Sequence, residues 1–175
     1  MKNKKVIFML IFIFIIILIG GIMIINKNKL YRTELGNSEK EILVEKAYRN
    51  HAWGFQYRGK AIFNDGSIYE WEINEPHYRY EEDSIDEHVK WILDNGICIN
   101  KKVTERNLEK IEENINSLED DIKVEGYGAD MGSNYIVVWN TNKEKIKLKE
   151  SGDNIGENKS VEAQKLIKII DKYLK

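Results

Sequence analysis

Residues Trp53–Ile73 read WGFQYRGKAIFNDGSIYEWEI, and this stretch decides the fold class. Two runs, Trp53–Phe63 and Ile68–Ile73, flank Asn64-Asp65-Gly66-Ser67, whose glycine and short polar side chains supply a φ > 0 turn cheaply. Ile68, Glu70 and Glu72 alternate with Tyr69, Trp71 and Ile73, so one face of the second strand is aromatic and the other wet. Gly54 and Gly59 weaken the first strand or permit a bulge. Pro76, the only proline, closes the hairpin, because it cannot donate to a ladder.

Helices and strands follow outward in an irregular order. Ser84 with Glu87 three residues on forms a capping box that opens a helix through Asp94, with Val89, Ile92 and Leu93 inward and Gly96 past its end. Ile97–Ile99 reads as a short apolar strand holding Cys98. Thr104 caps a helix to about Leu118, where Leu108, Ile111, Ile115 and Leu118 recur at helical spacing. Strands are expected at Ile122–Gly128, Tyr135–Asn140 and Lys145–Lys149, and Ser160 opens a terminal helix over 161–174. Upstream of the hairpin, Ser38 and Glu41 resemble a second capping box, so Glu39–Asn50 reads as a helix with Ile42, Leu43 and Ala47 on one face. This pattern predicts an α+β domain with a mostly antiparallel sheet packed with helices. A parallel nucleotide-binding fold would need βαβ units with Gly-rich first turns, which are missing.

Most of the apolar content lies before this domain. Val6–Ile25 reads VIFMLIFIFIIILIGGIMII, without a polar side chain. At about 1.5 Å per residue such a helix spans roughly 30 Å, the thickness of a bilayer's hydrocarbon core, and in lipid only a helix satisfies this β-branched backbone internally. The expected organisation is a basic tail 1–5, a transmembrane helix 6–25, a tether 26–37 and a soluble domain 38–175. A cleaved signal peptide is the rival reading of Lys2, Lys4, Lys5 and the apolar run, but no small-x-small cleavage pattern follows it. The short basic tail argues for a signal anchor, with the domain extracytoplasmic and the chain in the cell membrane as a single-pass protein.

The 175 residues carry 27 basic and 29 acidic side chains, and three of the lysines precede the apolar run. The remaining domain is acidic, with no electrostatic footprint for nucleic acid. A single cysteine excludes an intramolecular disulfide.

No constellation of side chains announces chemistry. His51, His77 and His88 lack the i, i+4 spacing that sets two imidazoles on one helical face for a metal, and read as surface or capping residues. Cys98 between two isoleucines reads as a small core residue. Asp130-Met131-Gly132-Ser133 precedes a strand, where a phosphate-cradling loop would lead into a helix, so it reads as a turn. Gly152–Asn158 departs from calcium-loop spacing and reads as a polar loop. No catalytic residue, metal site or cofactor is therefore expected. The most unusual feature is the aromatic set around the hairpin. Its Tyr- and Arg-rich part, Tyr57, Arg58, Tyr69, Tyr78, Arg79 and Tyr80, has the composition of interface hot spots and is the expected recognition surface.

At Ala52-Trp53-Gly54-Phe55, Asn64-Asp65-Gly66-Ser67-Ile68-Tyr69 and Gly152-Asp153 through Ala163, the chain resembles a group of small uncharacterised proteins, exported or membrane-anchored, of low-GC Gram-positive bacteria. The resemblance implies location and lends no activity or functional residue. The expected function is a membrane-tethered, non-enzymatic module that binds a protein or peptide at the cell envelope, of which an immunity-like role is one version. Two alternatives stand beside it. One is an envelope hydrolase in which Asp130, Asp153 or Glu72 meets His77 or His88 only in the fold. The other is a structural accessory subunit of a membrane complex.

Overall fold

The hairpin forms as β2 (Phe55–Phe63) and β3 (Ser67–Glu75). Its turn carries Gly66 at φ 77°, with the Gly66 N–H donating to the Phe63 carbonyl (2.8 Å) and the Ser67 N–H to the Asp65 carboxylate (2.9 Å). The structure, a computed structural model, describes residues 40–52, 54–75, 84–119, 122–128 and 132–175. Within it Lys40–Lys175 forms a compact unit. The tail 1–5, the apolar run 6–25 and the tether 26–37 lie outside the described residues. Among the described residues no helix is long and apolar enough to cross a membrane.

The expected helix over Glu39–Asn50 is instead strand β1 (Ile42–Asn50), paired with β2 on one side and β6 (Ser133–Trp139) on the other. Pairing along both edges satisfies the backbone as fully as a helix would, and Ile42 and Val44 suit a pleat. The helical stripe left Val44 out. In the strand it is fully buried.

After β3 come α1 (Ile85–Asn95), the edge strand β4 (Ile97–Lys102) and α2 (Glu105–Asn116). Then β5 (Ile122–Tyr127), β6, β7 (Lys145–Gly152) and β8 (Asn154–Asn158) lead into α3 (Val161–Tyr173). Ser84 and Ser160 cap their helices as expected, accepting from the Glu87 and Ala163 N–H groups. Thr104 precedes α2 without a side-chain cap bond. The sheet is antiparallel, in the order β4-β3-β2-β1-β6-β7-β8-β5. β8 corrects the expected polar loop: it pairs with both β5 and β7, so its order comes from backbone bonds and not from its one apolar side chain, Ile155. Cys98, expected in the core, is exposed on β4.

Two apolar cores form on opposite faces of the sheet. Val89, Trp91 and Ile92 of α1 cover Phe55, Tyr57, Ala61, Trp71, Val137 and Trp139. On the other face α2 and α3 cover Val44, Ile62, Ile68, Val138, Ile146 and Leu148. Gly59 sits on the α1 face where rings crowd the backbone. A Cβ there would lie 2.6 Å from the Ala47 Cβ and 2.8 Å from a Trp71 ring carbon. Gly59→Ala is therefore expected to destabilise the domain by about 1–3 kcal/mol through overpacking. Denaturant unfolding followed by tryptophan fluorescence checks this; an unchanged midpoint would contradict the crowding.

Candidate functional site

The face under α2 and α3 is only half covered, and register shows why. Five strands, β3-β2-β1-β6-β7, align their side chains in cross-strand rows. The first row, Ile68-Ile62-Val44-Val138-Ile146, is apolar and buried. The second is Glu70-Lys60-Lys46-Ile136-Lys149 and the third Glu72-Arg58-Tyr48-Asn134-Ser151. Helices cover the row they can dehydrate without leaving charges unpaired. The two polar rows remain open, as the floor of a cleft of about 830 Å³ walled by Ile167, Asp171 and Leu174 at the end of α3 and by Ile97 and Ile99 of β4.

Most of the floor is tied down. Lys46 pairs with Asp171 (2.7 Å), and Lys60 pairs with Glu70 (3.3 Å) and donates to the Lys175 carbonyl (2.7 Å). The Arg58 guanidinium lies over the Tyr48 ring, 4.4 Å from its centre. The Tyr48 hydroxyl accepts from the Asn50 side-chain amide (3.0 Å), whose own oxygen accepts from the Ala52 N–H (2.8 Å).

Directly behind this floor, on the α1 face of β1, lies a buried polar network. Glu45 is fully buried and His88 is 1% exposed. His88 Nε2 meets one carboxylate oxygen at 2.8 Å, and the Tyr57 and Tyr135 hydroxyls each donate to the other at 2.7 Å. Trp139 packs beside the imidazole, ring centres 6.0 Å apart, and the Arg49 guanidinium sits 4.5 Å from the Tyr57 ring centre. Burial pushes the Glu45 carboxyl upward, but the hydrogen bond and charge of His88 and the two hydroxyls outweigh it and hold Glu45 below its ordinary value. Burial, reinforced by the Glu45 charge, raises Tyr57 and Tyr135 well above the ordinary phenol range.

The expected recognition residues do not make one surface. Tyr57 is wholly buried in the α1 core, Tyr69 is half-buried on that same face, and Arg58 is exposed on the opposite face. Tyr78, Arg79 and Tyr80 lie outside the described residues, as do His77, Asp130 and Met131. Strand alternation separates Tyr57 from Arg58, a constraint that composition alone conceals. His88, read as a surface or capping residue, is in the core. It falls four residues before Ile92, on the same helical face, which is the signal that places it inward. It meets Glu45, while Glu72 lies on the cleft floor. His51 is exposed, its ring 5.2 Å from Phe55. Among the described residues no group of three or more His, Cys, Asp or Glu side chains could hold a metal.

With no solvent path to either partner, the Glu45–His88 pair positions α1 on the sheet. Glu45→Gln removes the negative charge between His88 and two hydroxyls, and is expected to cost about 3–5 kcal/mol. It also alters the pH profile. Glu45 titrates lower when folded than the usual value of about 4.3, so around that pH the unfolded chain binds more protons and stability falls as pH drops. Urea midpoints between pH 3 and 7 should show this decline in the wild type and a flatter limb in Glu45→Gln. Equal slopes would rule out a folded-state carboxylate there.

No protein-family model, curated protein or solved structure matches the chain, so the functional reading rests on the geometry of the cleft.

Proposed function

We propose that this chain is a membrane-tethered, non-enzymatic binding module of the cell envelope, with its domain extracytoplasmic and the half-covered sheet face receiving a protein or peptide. The observation that carries the reading is the pair of polar cross-strand rows left open beside a fully covered apolar one. A sheet face that served stability alone would be apolar under its helices or evenly solvated. Here it is a walled floor with preset side chains, the usual form of a recognition surface on a rigid scaffold. The apolar run Val6–Ile25 supports the tether. The sealing of Glu45 and His88 favours binding over hydrolysis, because a general base must reach the proton it abstracts.

The test is site-specific photocrosslinking in intact cells. A benzophenone side chain at Glu72 or at Ser151, the two ends of the third row, is expected to give a discrete adduct that sediments with membranes. The same group at Lys90, exposed on α1, should give none. Absence of adducts from both cleft positions would end the binding reading, and recovery of the chain in the soluble fraction would end the tether.

A further inference from the structure

We infer that the occupant of the cleft is an extended acidic peptide segment, held through a carboxylate by Arg58 on its Tyr48 platform and steered by Lys149; this rests on the binding reading above. The first ground is the pairing of charges on the floor. Lys46 and Lys60 already have Asp171 and Glu70. Among the described residues Arg58 and Lys149 take part in no ion pair, although Glu72 stands opposite Arg58 in register. Of the four cations that line the cleft, Lys46, Lys60, Arg58 and Lys149, the last two thus have no acid partner among the described residues, in a domain that is acidic as a whole.

The second ground is preorganisation. Tyr48 is held at its hydroxyl by Asn50, itself only 7% exposed and anchored to the backbone of Ala52. An arginine over a fixed ring keeps its planar fork of donors for an acceptor beside it, and that fork matches a carboxylate with two parallel hydrogen bonds. The order on the platform is therefore present before a ligand arrives, which reduces the entropy lost on binding.

The third ground is shape. Arg58 and Lys149 stand on strands separated by β1 and β6, roughly 14 Å apart at the usual strand spacing. The hydrogen-bonding side chains of Asn134 and Ser151 lie between or beside them, and Ile97 is 74% exposed at the β4 end. Cations so dispersed do not converge on one phosphate. They suit a chain that crosses the strands, with about four to five extended residues at roughly 3.3 Å each covering the distance between them, and acidic groups spaced along it.

The experiment uses the full chain in neutral detergent micelles and fluorescein-labelled hexaglutamate, read by fluorescence anisotropy. Wild type should bind, more weakly as salt rises. Arg58→Gln should weaken binding at least about tenfold, Arg58→Lys several-fold because the charge stays while the fork is lost, and Lys149→Gln a few-fold. Lys90→Gln on α1 should match wild type, and unchanged tryptophan emission in each variant shows that the fold is retained. Equal affinity in Arg58→Gln, hexalysine binding as tightly as hexaglutamate, or displacement of the peptide by equimolar inorganic phosphate or by phosphatidylglycerol vesicles overturns the proposal. If crosslinks form at Glu72 and Ser151 while hexaglutamate does not bind, the cleft remains a binding surface and the acidic occupant is rejected. Loss of both removes both.

Discussion

A carboxylate buried at the centre of an eight-stranded sheet constrains everything around it. Taking an ionised glutamate out of water costs several kcal/mol even after the protein relaxes, so Glu45 is tolerable only when donors surround it. They come from three separate elements: His88 from α1, Tyr57 from β2 and Tyr135 from β6. Apolar cores that keep their volume but lose specific contacts lose uniqueness before they lose stability, so a directional contact helps to fix α1 in one position. The imidazole at 2.8 Å allows α1 one phase and one height, and the neighbouring Trp91 and Trp71 rings pack edge to face in that arrangement.

β1 carries this network on one face and the cleft on the other. Its odd positions, Glu45, Ala47 and Arg49, look toward α1, and its even positions, Lys46 and Tyr48, form the middle of the polar floor. After the buried Ile42 and Val44 the strand thus carries polar side chains on both faces, and its neighbours complete the packing around it. Small residues make this feasible: Ala47 and Gly59 face each other across the ladder and leave room for Trp71 and the reach of Tyr57 toward Glu45.

This two-sided polarity also explains which parts of the fold were legible in the sequence. The hairpin of β2 and β3 showed itself because its turn residues and alternating pattern agree, although Trp53, at the start of the expected first run, lies outside the described residues. Ser84, Ser160 and the stripes behind them placed α1 and α3, since caps and helical spacing are local. β1 was not legible. A central strand normally reads as an apolar run, but here Glu45, Lys46, Tyr48 and Arg49 interrupt it, and a chance capping box upstream made a helix the simpler account. β8 failed for a related reason: Asn154, Glu157 and Asn158 give no strand signature, and only pairing on both edges makes them one. The Glu45–His88 contact joins residues 43 apart, beyond the reach of any periodicity. In the candidate site, alternation in the second strand set Glu70 and Glu72 on its wet face and Arg58 was chosen for its composition, whereas Lys46 and Tyr48 were hidden by the misread strand. Tyr57 was chosen for its composition, and its strand parity turned it inward.

Because the two functions of β1 lie on opposite faces, they are energetically separable. Side chains on an exposed floor usually change stability by less than about 0.5 kcal/mol when replaced, so Arg58, Lys149 and Ser151 can vary in chemistry while the fold persists. Glu45, Tyr57 and His88 have no such latitude, since each loss leaves a buried polar partner unsatisfied. The connection between the faces is geometric: the backbone that holds Glu45 against His88 also sets the pleat on which Tyr48 stands, three residues on. A rigid network behind an open floor lets the floor's side chains be exchanged without renegotiating the core, which is the arrangement the proposed recognition role would require.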